Sequence, residues 1–344
     1  MTDVVVVGAG ILGASVAWHL ACADVPVTLL ERGPGPATGV TGDSFAWIGG
    51  VSGDWPGGAA DLRGSVLADW RRLESEVPEV AVRRTGSLTW PAPSGSGTDR
   101  HRHRLPEGRY RIGRAAIQAL EPRLRTPPET AVHTPSDAGV DPVAVTAALV
   151  RAARARGARV EYGASAVALR TRAGRVTGVD TGAGFRPASV VVLTAGTGVV
   201  ELAAPLGVGL PVTGSPTRLL RLTAPPGLVR GIVAGPDFEV REVSAGRLLL
   251  THAAPSAETA ASLFRAAFEG PGAGECRVTG SRVGLRPVPE GGPLIGPLAP
   301  DGSAYLAVAH SGVTLAPTVG RLVAAELTTG LPAPEFNRCR PPRT

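Results

Sequence analysis

The run Val4–Val7 is closed by Gly8-Ala9-Gly10-Ile11-Leu12-Gly13, and a helical pattern follows through Leu20. No other stretch limits the fold as strongly. A continuous β-branched run suits a parallel strand buried on both faces. Gly8 permits the tight turn after it, Gly10 lets a pyrophosphate approach the backbone, and Gly13 lets the helix pack close to the strand. The helix start then offers free N–H groups and the positive end of its dipole to phosphates. A second strand is expected at Val27–Leu30, ending in Glu31, 21 residues past Gly10. A carboxylate there accepts hydrogen bonds from the adenosine ribose hydroxyls and disfavours a 2′-phosphate, which argues against NADP. The cradle alone does not separate NAD from FAD.

Further α/β material follows. "GVDPVAVTAALVRAARARGARV", from Gly139, has the apolar spacing of an amphipathic helix, with Gly157 suited to its C-terminal end. "ARVEYG", "GRVTGVDT" and "ASVVVLTAGTG" read as strands, and "TGAGF" (Thr181–Phe185) as a hairpin turn. Alternation between Arg218 and Arg277 predicts antiparallel strands, with a helix in "AETAASLFRAAFEG". Near the end, "YLAVAHSGVTLAPTVGRLVAAEL" repeats the strand, glycine turn and helix of the cradle without its motif. The run "VGLRPVPEGGPLIGP" from Val283 fits neither a strand nor a helix, yet is too patterned for a slack loop.

Composition narrows the function. A chain of 344 residues, 43% hydrophobic and 19% charged, has room for one to three globular domains. It has no apolar stretch near the ~20 residues of a membrane span. Its start has no basic leader, so a cytoplasmic protein is expected. The net charge of +6 comes with no lysine at all, and the arginines are spread along the chain, so no nucleic-acid face is expected. The densest cluster, Asp99–Arg111, reads as a solvated loop, and its His101 and His103 make a poor metal cage. Cys22, Cys276 and Cys339 are scattered without metal-ligand spacing, so neither a metal site nor a disulfide framework is expected.

Taken in order, these stretches resemble the D-amino-acid-oxidase-like family of FAD-dependent oxidoreductases, nearest its glycine oxidase and sarcosine oxidase branch. Four blocks carry the resemblance: Val4–Arg32, Thr38–Gly50, the run from Gly139 with its following strands, and Val283–Leu327. The last, "GLRPVPEGGPLIGP" with "AHSGVTLAPTVGRLVAAEL", is the most specific. The resemblance implies an α/β protein with a Rossmann-like FAD-binding domain built from residues 1–85, 141–212 and 281–344. An antiparallel-sheet α+β substrate domain, residues 86–140 and 213–280, would lie above the flavin.

Carried over by position, Gly8, Gly10, Ile11, Leu12 and Gly13 would hold the pyrophosphate, and Glu31 and Arg32 would meet the adenosine. Thr38 and the turn Thr41, Gly42, Asp43 and Ser44 would follow the flavin side of the diphosphate. Val167 would touch the adenine, Ala195 and Gly196 would pass under the ribityl chain, and Gly312, Val313, Thr314 and Leu315 would face the flavin pyrimidine ring. Arg286 matches the arginine that binds the substrate carboxylate. A guanidinium fork suits that role, because fixing the carboxylate aims the substrate Cα–H at flavin N5. His310, beside the flavin turn, and His252, in the substrate sheet, are further candidates, and Trp47 either flanks the flavin or packs. Phe238 lies near the position of a substrate-lining tyrosine but lacks the hydroxyl.

The chemistry so implied is oxidation of a small amino acid or secondary amine. A hydride passes from the amine carbon to flavin N5, the imine hydrolyses, and O2 reoxidises the flavin. The alternatives are a dehydrogenase using a quinone or electron-transfer protein, and a noncatalytic flavin-binding protein. An NAD-dependent dehydrogenase would need the cradle but not the C-terminal block. Three departures from the branch stand out. No lysine is available to assist oxygen reduction, and no second arginine follows His310. Cys276, ten residues before Arg286 and expected in the preceding strand, is not at the position used for covalent flavin attachment, so FAD is expected to be noncovalent.

Overall fold

The computed structural model describes residues 3–91, 105–252, 254 and 256–342. His101 and His103 lie outside the described residues. Of the expected Asp99–Arg111 loop, Tyr110 and Arg111 instead open a strand, Tyr110–Gly113, at the edge of a large sheet.

Two main sheets organise the molecule. The first has six strands in the order Leu294–Pro297, Ala304–Val308, Val190–Leu193, Val4–Val7, Val27–Glu31 and Arg159–Tyr162. All pairs are parallel except the first, which is antiparallel. The β-branched run of Val4–Val7 is buried on both faces: Val4 and Val6 enter one core cluster, Val5 and Val7 another. That is the period-2 split of a central parallel strand.

On one face the helices Ile11–Cys22, Pro142–Ala155 and Gly312–Thr329 cover the sheet. Asp141 caps the second of these, accepting from the Val143 and Ala144 amides at 3.0 and 3.1 Å, with Pro142 opening the helix. The first and third touch closely enough that a Cβ on Gly320 would lie 2.2 Å from Ser15 Oγ. Ser15 Oγ itself donates to the Ala316 carbonyl at 2.7 Å. On the other face, Ala166–Arg172, Arg175–Thr181 and Gly184–Pro187 form an antiparallel meander, whose hairpin pairs Thr181 with Gly184 as expected for "TGAGF".

The second sheet has eight strands in the order Arg277–Pro289, Val212–Thr223, Arg247–His252, Phe238–Ser244, Ile232–Ala234, Ser87–Thr89, Thr130–Thr134 and Tyr110–Gly113. Only the Ile232–Ala234 and Ser87–Thr89 pair is parallel. Leu220, Leu222, Leu248, Leu250, Phe238 and Val240 on one face meet the helix Ala257–Ala267 and Phe268 in a third core. Phe264 and Phe268 stack there with centroids 5.0 Å apart. A buried side chain of that size contributes about 1.5–3 kcal/mol.

The patterned run from Val283 corrects the sequence reading. Val283–Pro289 is the end of the 13-residue strand Arg277–Pro289, and Leu294–Pro297 is a strand of the other sheet. The prolines obscured this. Pro287 and Pro289 have no N–H to give a ladder, but this strand lies at the sheet edge, where such gaps are tolerated. The same strand crosses the expected domain boundary at 280/281. Cys276 directly precedes it, rather than lying in an earlier strand, and is buried in the third core.

Candidate active site

The cradle turn is built as its glycines suggest. Gly8 has φ +104°, and a Cβ there would meet the Thr194 carbonyl oxygen at 2.9 Å. A Cβ on Gly13 would stand 1.9 Å from the Gly8 carbonyl oxygen, so the helix can approach the strand only with hydrogen at that position. Glu31 ends the second strand 7% exposed. Its carboxylate accepts from the Ala9 and Gly33 amides, both at 2.8 Å, and from Thr38 Oγ1 at 3.2 Å. A carboxylate has about four lone-pair sites, so one remains for a ribose hydroxyl. Thr41 Oγ1 accepts from the Ile11 amide at 3.2 Å, drawing the following turn against the helix start. Asp43, in that turn, pairs with Arg282 at 3.1 Å, and Arg221 donates to the Gly42 carbonyl.

From this turn a cleft of about 1330 Å3 runs between the two sheets. It exceeds the roughly 300–1,000 Å3 usual for a small-molecule site and suits a dinucleotide together with a small substrate. Gly8, Gly10, Ile11, Leu12, Glu31, Arg32, Thr38, Thr41, Asp43, Ser44 and Val167 line its wall. Ala195, Gly196, Gly312, Val313 and Thr314 line it too, so the N-termini of two helices border it. Arg286, His310, His252 and Phe238 also border it.

Three predicted residues stand back. Gly13 and Gly42 are packing positions, where a Cβ would strike the Gly8 and Ala37 carbonyl oxygens. Leu315 is fully buried in the first core. Trp47 both lines the cleft and donates from Nε1 to Asp137 Oδ2 at 3.0 Å. Cys276 is away from the cleft, its thiol pKa pushed up by burial.

Arg286 donates to Ser215 Oγ at 3.3 Å, and its Nε is buried without a partner. His310 ends the segment after Ala304–Val308; burial, then the Arg286 guanidinium, lowers its pKa. Burial and then Arg218 do the same to His252.

The register of the eight-stranded sheet adds residues that the sequence reading missed. Directly paired residues share a face. Phe238 pairs with His252, and the Phe238 ring packs onto Phe264 and Phe268 at 6.1 and 6.5 Å, away from the first sheet. Its neighbour Glu239 therefore takes the opposite face, in register with Thr251 and Leu219, and Thr217 and Ser215 follow toward Arg286. Glu239, Thr251 and Thr217 all line the cleft. Burial raises the Glu239 carboxyl pKa, and Arg286 pulls it back in part. The alternation of "DFEVRE" held this signal, but only with the strand's facing known.

A family model described as "FAD dependent oxidoreductase" matches residues 3–326. A D-amino acid dehydrogenase of Methylobacterium nodulans is 28% identical, with 97% of this chain and 96% of that protein covered. A glycine oxidase of Pseudomonas aeruginosa is 29% identical over 95% of this chain and 94% of its own. Among solved structures, the glycine oxidase of Geobacillus kaustophilus superposes with a TM-score of 0.87 at 23% identity, covering 100% of both chains. This last likeness is one of fold.

Proposed function

The chain belongs to the family of FAD-dependent oxidoreductases, and on that premise we propose that it oxidises a small amino acid or secondary amine at the carbon bearing nitrogen, with O2 as the final acceptor. The observation that carries this reading is Arg286, a half-buried guanidinium in the cleft with an unpartnered Nε. Such a group takes a carboxylate, and a charge-assisted contact of that kind contributes about 1.5–3 kcal/mol.

FAD fits the cradle turn, the Glu31 network and the two helix starts, and it supplies two-electron acceptance at N5. The protein's share is placement. Arg286 anchors the carboxylate, and Ser215 steadies Arg286. The relatives include both glycine oxidase and D-amino acid dehydrogenase. A second reading, transfer to a quinone or electron-transfer protein, is favoured by the absence of any lysine. A cytoplasmic location goes with either reading; among the described residues no helix is long and apolar enough to cross a membrane.

The test is an anaerobic visible spectrum of the FAD-loaded protein, titrated with amino acids and N-methyl amino acids, then opened to air. Bleaching followed by rapid recolouring with peroxide supports the oxidase. Bleaching without recolouring supports the second reading, and no bleaching by any amine removes both.

A further inference from the structure

Arg286 has a counterpart in the cleft. Glu239 shares its face of the eight-stranded sheet, through the pairings of Glu239 with Thr251, Thr251 with Leu219, and Ser215 with Arg286. Both residues are half-buried and both line the cleft. Arg286 is the charged group whose field reaches Glu239. Yet among the described residues no ion pair joins them, and no side chain or backbone amide donates to the Glu239 carboxylate. The Arg286 Nε is likewise without a partner.

A half-buried carboxylate without donors and a guanidinium with a free N–H are each costly alone. Facing one cleft, they are complementary to a ligand that brings an anion to one and a donor to the other. An α-amino acid does so, with its amino nitrogen two bonds from its carboxyl carbon. A plain carboxylic acid satisfies only Arg286. A second carboxylate would be pushed against Glu239, with Asp237 also on the cleft wall.

We propose that Glu239 is the second anchor of the substrate, accepting from the amino group of the molecule whose carboxylate Arg286 holds, and that it confines the site to amino acids with a single carboxylate. The inference rests on the amino-acid reading above and goes further, assigning a residue and a substrate class. Glu239 acts here as a binding and selectivity residue; no proton transfer is asked of it.

The test measures binding rather than turnover: the flavin is reduced beforehand under anaerobic conditions so that no amine is consumed, and binding is read from the difference spectrum of the bound flavin and by calorimetry. FAD-loaded wild type, Glu239→Gln and Arg286→Gln are each titrated with sarcosine, with propionate as an amine-free carboxylate, and with iminodiacetate. In wild type, sarcosine should bind at least tenfold tighter than propionate, and iminodiacetate should bind poorly. Glu239→Gln should weaken sarcosine about 10–100-fold, the range for losing one charge-assisted hydrogen bond, while propionate is unchanged or tighter. Iminodiacetate should gain affinity in that variant, an outcome that misfolding does not produce. Should Glu239→Gln fail to retain FAD, Glu239→Asp, which withdraws the charge by one methylene, takes its place with the same expected directions.

Equal losses for sarcosine and propionate, or no loss for sarcosine, would overturn the proposal and leave the amino-acid reading intact, provided Arg286→Gln weakens both ligands. If wild type binds neither sarcosine nor any other amino acid of the panel, both fall.

Discussion

The Arg241 guanidinium donates from Nε to the Phe45 carbonyl at 2.7 Å and lies 5.3 Å from the centroid of the same residue's ring. Its other bond, to the Val140 carbonyl at 2.5 Å, reaches the segment just before the helix Pro142–Ala155. Arg241 is 2% exposed, and burial lowers its pKa to about 9. It thus joins the eight-stranded sheet to the loop after the cradle. Replacing Arg241 with alanine leaves two buried carbonyls without donors, at about 1–3 kcal/mol each. Denaturant unfolding of the FAD-loaded protein should show a loss of that order, with faster FAD release.

Gly13 and Gly10 should fail differently when changed to alanine. At Gly13 the added methyl meets backbone at 1.9 Å, so the cradle helix must move and the protein should fold poorly with or without FAD. At Gly10 the nearest atom is Thr41 Oγ1 at 3.1 Å, which needs to give only slightly. Gly10→Ala should therefore fold with a near-normal melting temperature as apoprotein while losing FAD. The ratio of flavin to protein absorbance, beside a thermal melt, separates the two.

Acid should destabilise the protein partly through His19. Its Nδ1 donates to the Ser15 carbonyl at 2.8 Å, and burial lowers its pKa from 6.5 to about 4. Folding therefore favours the neutral ring. The stability it contributes is complete above pH 6.5 and is lost as pH falls toward 4. The gap corresponds to roughly 3 kcal/mol. Denaturant midpoints from pH 7 to pH 4 should fall in wild type, and a His19→Gln variant should show a shallower slope.

Arg286→Lys keeps the charge but loses the fork. If the guanidinium positions a carboxylate, kcat/KM for the best amino acid should drop about 10–100-fold, with most of the change in KM. Ser215→Ala, which removes only the 3.3 Å contact to Arg286, should cost a few-fold. Steady-state kinetics on both variants decide the matter; a substrate that responds to neither is not held by Arg286.

The cradle turn was legible in the sequence because its residues are close in the chain. Gly8, Gly13 and Glu31 are fixed by a local strand, turn, helix and strand, which pattern and spacing describe fully. The part of the cleft wall at Glu239 depends on which way a strand faces. Phe238 and Glu239 are adjacent, and a one-residue change in register exchanges their roles. Nothing in "DFEVRE" says which residue looks at the cleft until the partners Thr251 and His252 are known. The strand at Val283–Pro289 was hidden for another reason: its prolines are permitted by an edge position that only the assembled sheet reveals.

That edge strand ties two adjustments together and frees a third. Within a few residues the chain leaves Arg286, turns at Gly291 and Gly292, and enters the six-stranded sheet at Leu294, so the proposed carboxylate anchor is referenced directly to the sheet that carries the cradle turn. Divergence in that segment would disturb both at once. The Phe238–Ser244 strand carries no such obligation toward the cofactor turn at the Glu239 position. If Glu239 holds the substrate amino group as proposed, single replacements on one inner strand change substrate preference without touching the segment that carries Arg286 into the six-stranded sheet.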